Sequence, residues 1–66
     1  MSQITREEVI LQLDRVDTAL EAPEADKAAI LRDARDWLAD HPPKKAADAL
    51  YYRDRLDVIR ERHGVA

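Results

Sequence analysis

The stretch Asp40-His41-Pro42-Pro43-Lys44 decides the fold, because it separates two long apolar-periodic segments and cannot itself be helix interior. The residue before a proline is pushed out of the α region, so a helix arriving from the N-terminal side ends near Asp40. A proline's fixed φ and missing N–H suit the first turn of a new helix. The stretch therefore reads as a tight turn that folds two helices back on one another as antiparallel neighbours.

Upstream, Ile30, Ala34, Trp37 and His41 recur at spacings of four, three and four, with Leu31 and Leu38 widening the stripe on one side. That period is helical. Pro23 is tolerated only in a first turn, so this helix is expected to begin at Pro23 or Glu24, with Asp26 as a later alternative cap, and to cover about 23–40. Trp37, the single tryptophan, is expected to anchor the core. Downstream, Ala49, Tyr52, Leu56, Ile59 and His63 form a second seam. This helix is expected to run from Pro43 to about His63, with Gly64 as the left-handed residue beyond its end. Arg60, Arg62 and His63 would complement the negative end of its dipole, as His41 would for the helix before it. At roughly 20 residues it would be about 30 Å long, a full turn longer than its neighbours.

The first helix is announced by two local signals. Thr5-Arg6-Glu7-Glu8 is a capping box, and Ile4 with Val9 is the matching hydrophobic staple. Val9, Leu13, Val16 and Leu20 continue one stripe, so a helix is predicted over about 6–20. The chain is thus expected to be all-α: a single domain, 1–66, forming a small three-helix bundle with coiled-coil-like seams.

Charges flanking the seams predict a pairing. Asp26, Asp33 and Asp40 lie seven apart along one flank of the second helix, while Arg53 with Arg60, and Arg55 with Arg62, flank the third. Folding the two antiparallel brings Asp33 towards Arg55 and Asp26 towards Arg62, and flanking charges of this kind choose partners in coiled coils. Each exposed pair contributes only about 0.2–1 kcal/mol, so it selects more than it stabilises. Leu31 and Leu38 would then face the first helix, where Ile10 also serves a helix–helix contact.

Composition narrows the function. The chain has 66 residues and no Cys, which excludes a disulfide scaffold and a thiolate metal site, and a reducing cytoplasm is its expected setting. The apolar runs, Val9-Ile10-Leu11 and Ala28-Ala29-Ile30-Leu31 among them, are far too short to span a bilayer. Net charge is −3, made of −5 over residues 1–43 and +2 over 44–66. A nucleic-acid binder usually carries a net basic domain, so nucleic acid is disfavoured. Arg outnumbers Lys eight to three and Ala is abundant, a usage associated with GC-rich bacterial or phage coding.

No constellation of residues points to catalysis. Ser2 is the sole serine and Gly64 the sole glycine, so a serine triad and a glycine-rich phosphate loop are both excluded. His41 and His63 have no second ligand at metal spacing. A bundle this small is expected to offer little volume for a ligand pocket of ~300 Å³ or more. An enzyme, a cofactor and a metal are therefore not expected. The feature left over is a second stripe on the third helix: Tyr51, Val58 and Val65, with Leu50, Arg55 and Arg62 around it. Aromatic, Arg and aliphatic residues together resemble the make-up of interfaces. The plainer reading makes the stripe a second wall of the core, with Arg stems covering apolar surface. Leu11, opposite the first helix's seam, reads as one ordinary exposed leucine.

The expected function is a non-enzymatic protein–protein interaction module meeting a protein partner or its own copy. Three rivals stand beside it, one of them a purely structural oligomer or assembly subunit. The acidic first 43 residues could occupy a basic nucleic-acid channel of a host protein, in the manner of a small phage or mobile-element inhibitor. Alternatively, the Arg-rich third helix could meet nucleic acid directly, although Asp48, Asp54, Asp57 and Glu61 interleave with its arginines.

Overall fold

The computed structural model describes residues 3–65 and shows three helices packed on one another: α1, Arg6–Leu20; α2, Lys27–Asp40; and α3, Ala46–Arg62. No helix among the described residues is long and apolar enough to cross a membrane. The molecule measures 34 × 19 × 17 Å.

Helix α1 begins where the capping residues place it. Thr5 is extended, and its hydroxyl accepts the Glu8 backbone N–H at 3.3 Å. Ile4 and Val9 are both buried, as the staple requires. Ile4 does more than staple. Its N–H donates to the Pro42 carbonyl at 3.2 Å, and its own carbonyl accepts the Lys44 N–H at 3.1 Å. The start of α1 is therefore tied to the turn between α2 and α3.

That tie explains the first correction. Helix α3 starts at Ala46 and not at Pro43, because Pro43 bridges Ile4, the Lys44 N–H is bonded to the Ile4 carbonyl, and Lys45 is extended. Lys45 is the N-cap and makes no side-chain cap bond. At 17 residues, against 15 and 14 for its neighbours, α3 does not carry the full extra turn that was expected. Helix α2 likewise starts late. Asp26, the alternative cap, accepts the Ala29 N–H at 3.2 Å, while Pro23 stays in the preceding turn.

The end of α3 follows the glycine. Gly64 has φ +70°, its N–H donates to the Glu61 carbonyl, and the Val65 N–H reaches back to the Arg60 carbonyl. This is a Schellman motif, whose residue two beyond the helix end usually makes an apolar contact. Val65 does so by packing against the core.

The core takes its side chains from every helix: Val9, Leu13, Val16 and Leu20; Leu31, Ala34 and Leu38; Tyr52, Leu56 and Ile59. On α2 the buried line is thus rotated from the expected seam. Leu31 and Leu38 lie at its centre, Ile30 and Trp37 are half-buried, and His41 is exposed. The enclosed aromatic is Tyr52, not Trp37. Trp37 lies at the core's edge, stacked on His41 with ring centroids 4.7 Å apart and tilted against Tyr52 at 5.3 Å.

Helix directions follow from the polar contacts. Arg6 meets Asp48 near the two starts of α1 and α3, and Asp17 meets Arg62 near their ends, so α1 and α3 run parallel. Lys27, opening α2, donates to the carbonyl of His63 beyond α3, so α2 is antiparallel to α3.

The predicted Asp33–Arg55 and Asp26–Arg62 pairs are not among the ion pairs of the described residues. Asp33 lines the groove between α1 and α2, whereas Arg55 lines the one between α1 and α3. Asp26 caps its own helix and Arg62 holds Asp17. The Asp flank of α2 turns towards α1, so the bundle has the opposite hand to the one the pairing assumed.

Candidate interaction surface

The six residues proposed as a partner-facing stripe are divided by the fold. Tyr51 packs against the core, and the Arg6 guanidinium carbon lies 4.3 Å above its ring centroid, a cation–π contact. Val65 closes the end of α3. Arg62 donates to Asp17 at 3.1 Å. For Tyr51 and Val65 the core reading therefore holds. Leu50, Arg55 and Val58 remain outward.

Of these, Arg55 lines a groove shared with α1. Among the described residues the exposed large hydrophobics are Ile10 at 46%, Leu11 at 50%, Leu50 at 60% and Val58 at 41%. All belong to α1 or α3, and α2 contributes none. Ile10, expected to serve a helix–helix contact, lines the α1–α3 groove and is half open to solvent. Leu11 is not an isolated exposed leucine, because it shares the α1–α3 groove with Ile10 and Tyr51. The signal was present in the sequence: three consecutive apolar residues cover about 200° of a helix, more than one core stripe uses.

The groove between α1 and α3 has a volume of about 350 Å³ and carries charge of opposite sign on its two sides. Glu7 and Asp14 stand on α1, Arg55 and Arg62 on α3. Beneath, the helices are clamped at both ends. Asp48 is buried, its side chain 7% exposed, and accepts from Arg6 at 3.1 Å, with Arg6 itself 53% exposed. Placed in the first turn of α3, the Asp48 carboxylate also meets the positive end of the helix dipole. At the far end Asp17 receives both Arg62 and the His63 Nε2, the latter at 2.7 Å. Sequence reasoning missed Asp48 and Asp17, since both sit among acids that look solvated.

A larger groove, about 590 Å³, runs between α2 and α3 over Leu38, Ala39, Ala49 and Leu56, with Arg35 and Arg53 at its rim. The expectation that a bundle this small lacks such volume is therefore wrong for its surface grooves. The space lies between neighbouring helices and opens to solvent; no enclosed chamber is needed to account for it.

Among the described residues one group has a clearly displaced titration. Burial pushes the Tyr52 phenol from 10.0 up to about 12. Its hydroxyl donates to the Ala34 carbonyl at 2.6 Å. A phenol so placed is a structural link between α2 and α3, with its proton committed. His41 and His63 both take up the C-cap positions expected of them, His41 Nδ1 lying 3.0 Å from the Trp37 carbonyl oxygen. No three His, Asp or Glu side chains of the described residues converge as metal ligands would.

Comparison with known families, characterised proteins and solved structures finds no match for this chain.

Proposed function

We propose that the chain is a non-enzymatic protein–protein interaction module that presents the paired faces of α1 and α3 to a protein, in a cytoplasmic setting. The observation that carries this reading is that Ile10 and Leu11, each about half exposed, line the α1–α3 groove beside Tyr51 and Arg55. Scattered apolar residues need no explanation, but two neighbouring ones in an Arg-lined groove support reading it as a contact surface. A protein is favoured over a polyanion because Arg60 and Arg62 are already engaged by Asp57 and Asp17. The displaced Tyr52 phenol is bonded to a backbone carbonyl, which supports a structural role for it and no acid–base chemistry.

Replacing Ile10 and Val58 together by Glu tests the surface. Both are outward, so circular dichroism should show an intact helical fold. Association, with a partner from the native host or with the chain itself, should be lost. A folded double variant that associates like the wild type would place the surface elsewhere.

A further inference from the structure

The proposed α1–α3 surface carries its own complement, and on that reading of the surface rests an inference about what covers it. Glu7 and Asp14 are seven residues apart on α1; Arg55 and Arg62 are seven apart on α3. They line one groove from opposite sides, yet Glu7, Asp14 and Arg55 make no ion pair within the described chain. Heptad-spaced charge left unpaired beside exposed Ile10 and Leu11 has the form of a coiled-coil flank without its partner helix.

We infer that the partner is a second copy of this chain, in a two-fold dimer whose helices run parallel, α1 of one protomer against α3 of the other. Symmetry leaves two simple ways of placing identical faces together. A two-fold axis perpendicular to the helices sets α1 against α1 and brings acid to acid. An axis along the helices sets α1 against α3 and brings the acidic side of each copy to the Arg side of the other. Only the second is electrostatically favourable, and like-charge juxtaposition is what excludes wrong pairings. The levels also match. Arg6 lies beside Asp48 and Asp17 beside Arg62, so Asp14 of one protomer comes within about a helical turn of Arg55 in the other. A 66-residue bundle is at the size where association commonly supplements the core.

Sedimentation equilibrium of the full chain, from micromolar to millimolar concentration, tests the dimer. The wild type should rise from 7.6 kDa towards twice that mass. Asp14→Arg and Arg55→Glu should each raise the dimer Kd by about tenfold or more, because symmetry applies each change twice. An equimolar mixture of the two variants should dimerise again, since each reversed charge then meets its opposite. A wild type that stays at 7.6 kDa overturns the dimer, and a mixture that fails to recover overturns the parallel pairing. The surface itself is judged separately. If the wild type is monomeric but Ile10→Glu with Val58→Glu abolishes binding to another protein, the interaction reading survives and the self-association does not. If that double variant stays folded and loses neither, both fail.

Discussion

Between α1 and α3 the apolar seam is closed at each end by charge: Arg6 on Asp48 at the start, Arg62 and His63 on Asp17 at the finish. Between α2 and α3 no side-chain ion pair of the described residues crosses the seam. There the polar links run to backbone carbonyls: the Tyr52 hydroxyl to Ala34, beside the Trp37 ring, and the Lys27 ammonium to His63 just beyond α3. The difference follows from connectivity. A short turn already makes α2 and α3 antiparallel neighbours, so their contact needs packing more than addressing. Helices α1 and α3 are not consecutive and run parallel, so their register has to be specified by the side chains themselves. Charge is spent where the chain path leaves the neighbour undetermined.

The strongest way to break this comparison is to remove the packed link. Tyr52→Ala should cost about 3–5 kcal/mol, the range for truncating a buried aromatic, and should leave little cooperative unfolding to measure in so small a domain. Tyr52→Phe is the sharper probe. It keeps the volume, removes only the hydroxyl's bond to the Ala34 carbonyl, and should cost about 0.5–1.5 kcal/mol at neutral pH. It should also change the alkaline limb of stability. The phenol's pKa is raised in the folded chain to about 12, so the unfolded chain releases that proton first. Stability from this group is complete below the unfolded value and is lost as pH rises through the folded one, a span worth on the order of 2–3 kcal/mol. Denaturant titrations between pH 9 and 12 should therefore fall more steeply for the wild type than for Tyr52→Phe. Parallel slopes would mean that Tyr52 titrates as an exposed phenol.

The charged seam should respond less. Arg6→Met removes the partner of a buried carboxylate while keeping an apolar stem over Tyr51. With Arg6 half exposed, the loss should be about 1–2 kcal/mol, below the range for a fully buried pair. Asp48→Asn in the same background should restore part of it, because the uncompensated charge is then gone. If Arg6→Met costs nothing, Asp48 is satisfied by the start of α3 alone.

How much of this was legible depended on whether a signal was local. The capping residues Thr5 and Ile4, the end of α2 at Asp40 and the glycine closing α3 were all readable, because each acts within a few residues of itself. The seams of α1 and α3 were readable for the same reason: a helical period is a short-range property. What failed was relational. A list of seam residues is the same for a bundle of either hand, so nothing in the periodicity told which flank of α2 would meet α3. The tie between Ile4 and the Pro42–Lys44 backbone is likewise a contact across 38 or more positions, without a side-chain pattern to announce it. It displaced the start of α3 by three residues from Pro43 to Ala46. The candidate surface was half legible. Leu50, Arg55 and Val58 remained outward, and Arg55 shares its groove with Ile10 and Leu11 of the Val9-Ile10-Leu11 run on α1. That run's excess apolar width was visible, and its neighbour was not.

The hand of the bundle gives the smallest effect and the most discriminating one. Two double-mutant cycles, measured at concentrations where the mass is 7.6 kDa, compare the pair the fold makes with a pair it does not. Reversing Asp17 and Arg62 singly should each cost a few tenths of a kcal/mol to about 1, with a coupling of about 0.2–1 kcal/mol recovered in the double reversal, as for other exposed pairs. Reversing Asp33 and Arg55 should give single effects that simply add, because these residues face different grooves on opposite sides of α1. A measurable coupling between Asp33 and Arg55, with none between Asp17 and Arg62, would require the opposite hand. It would also separate Arg55 from Ile10 and Leu11, and the two-helix surface would no longer exist as a unit. The apolar face and the hand of the bundle are therefore one claim, and the cheapest experiment on stability is also a test of the surface.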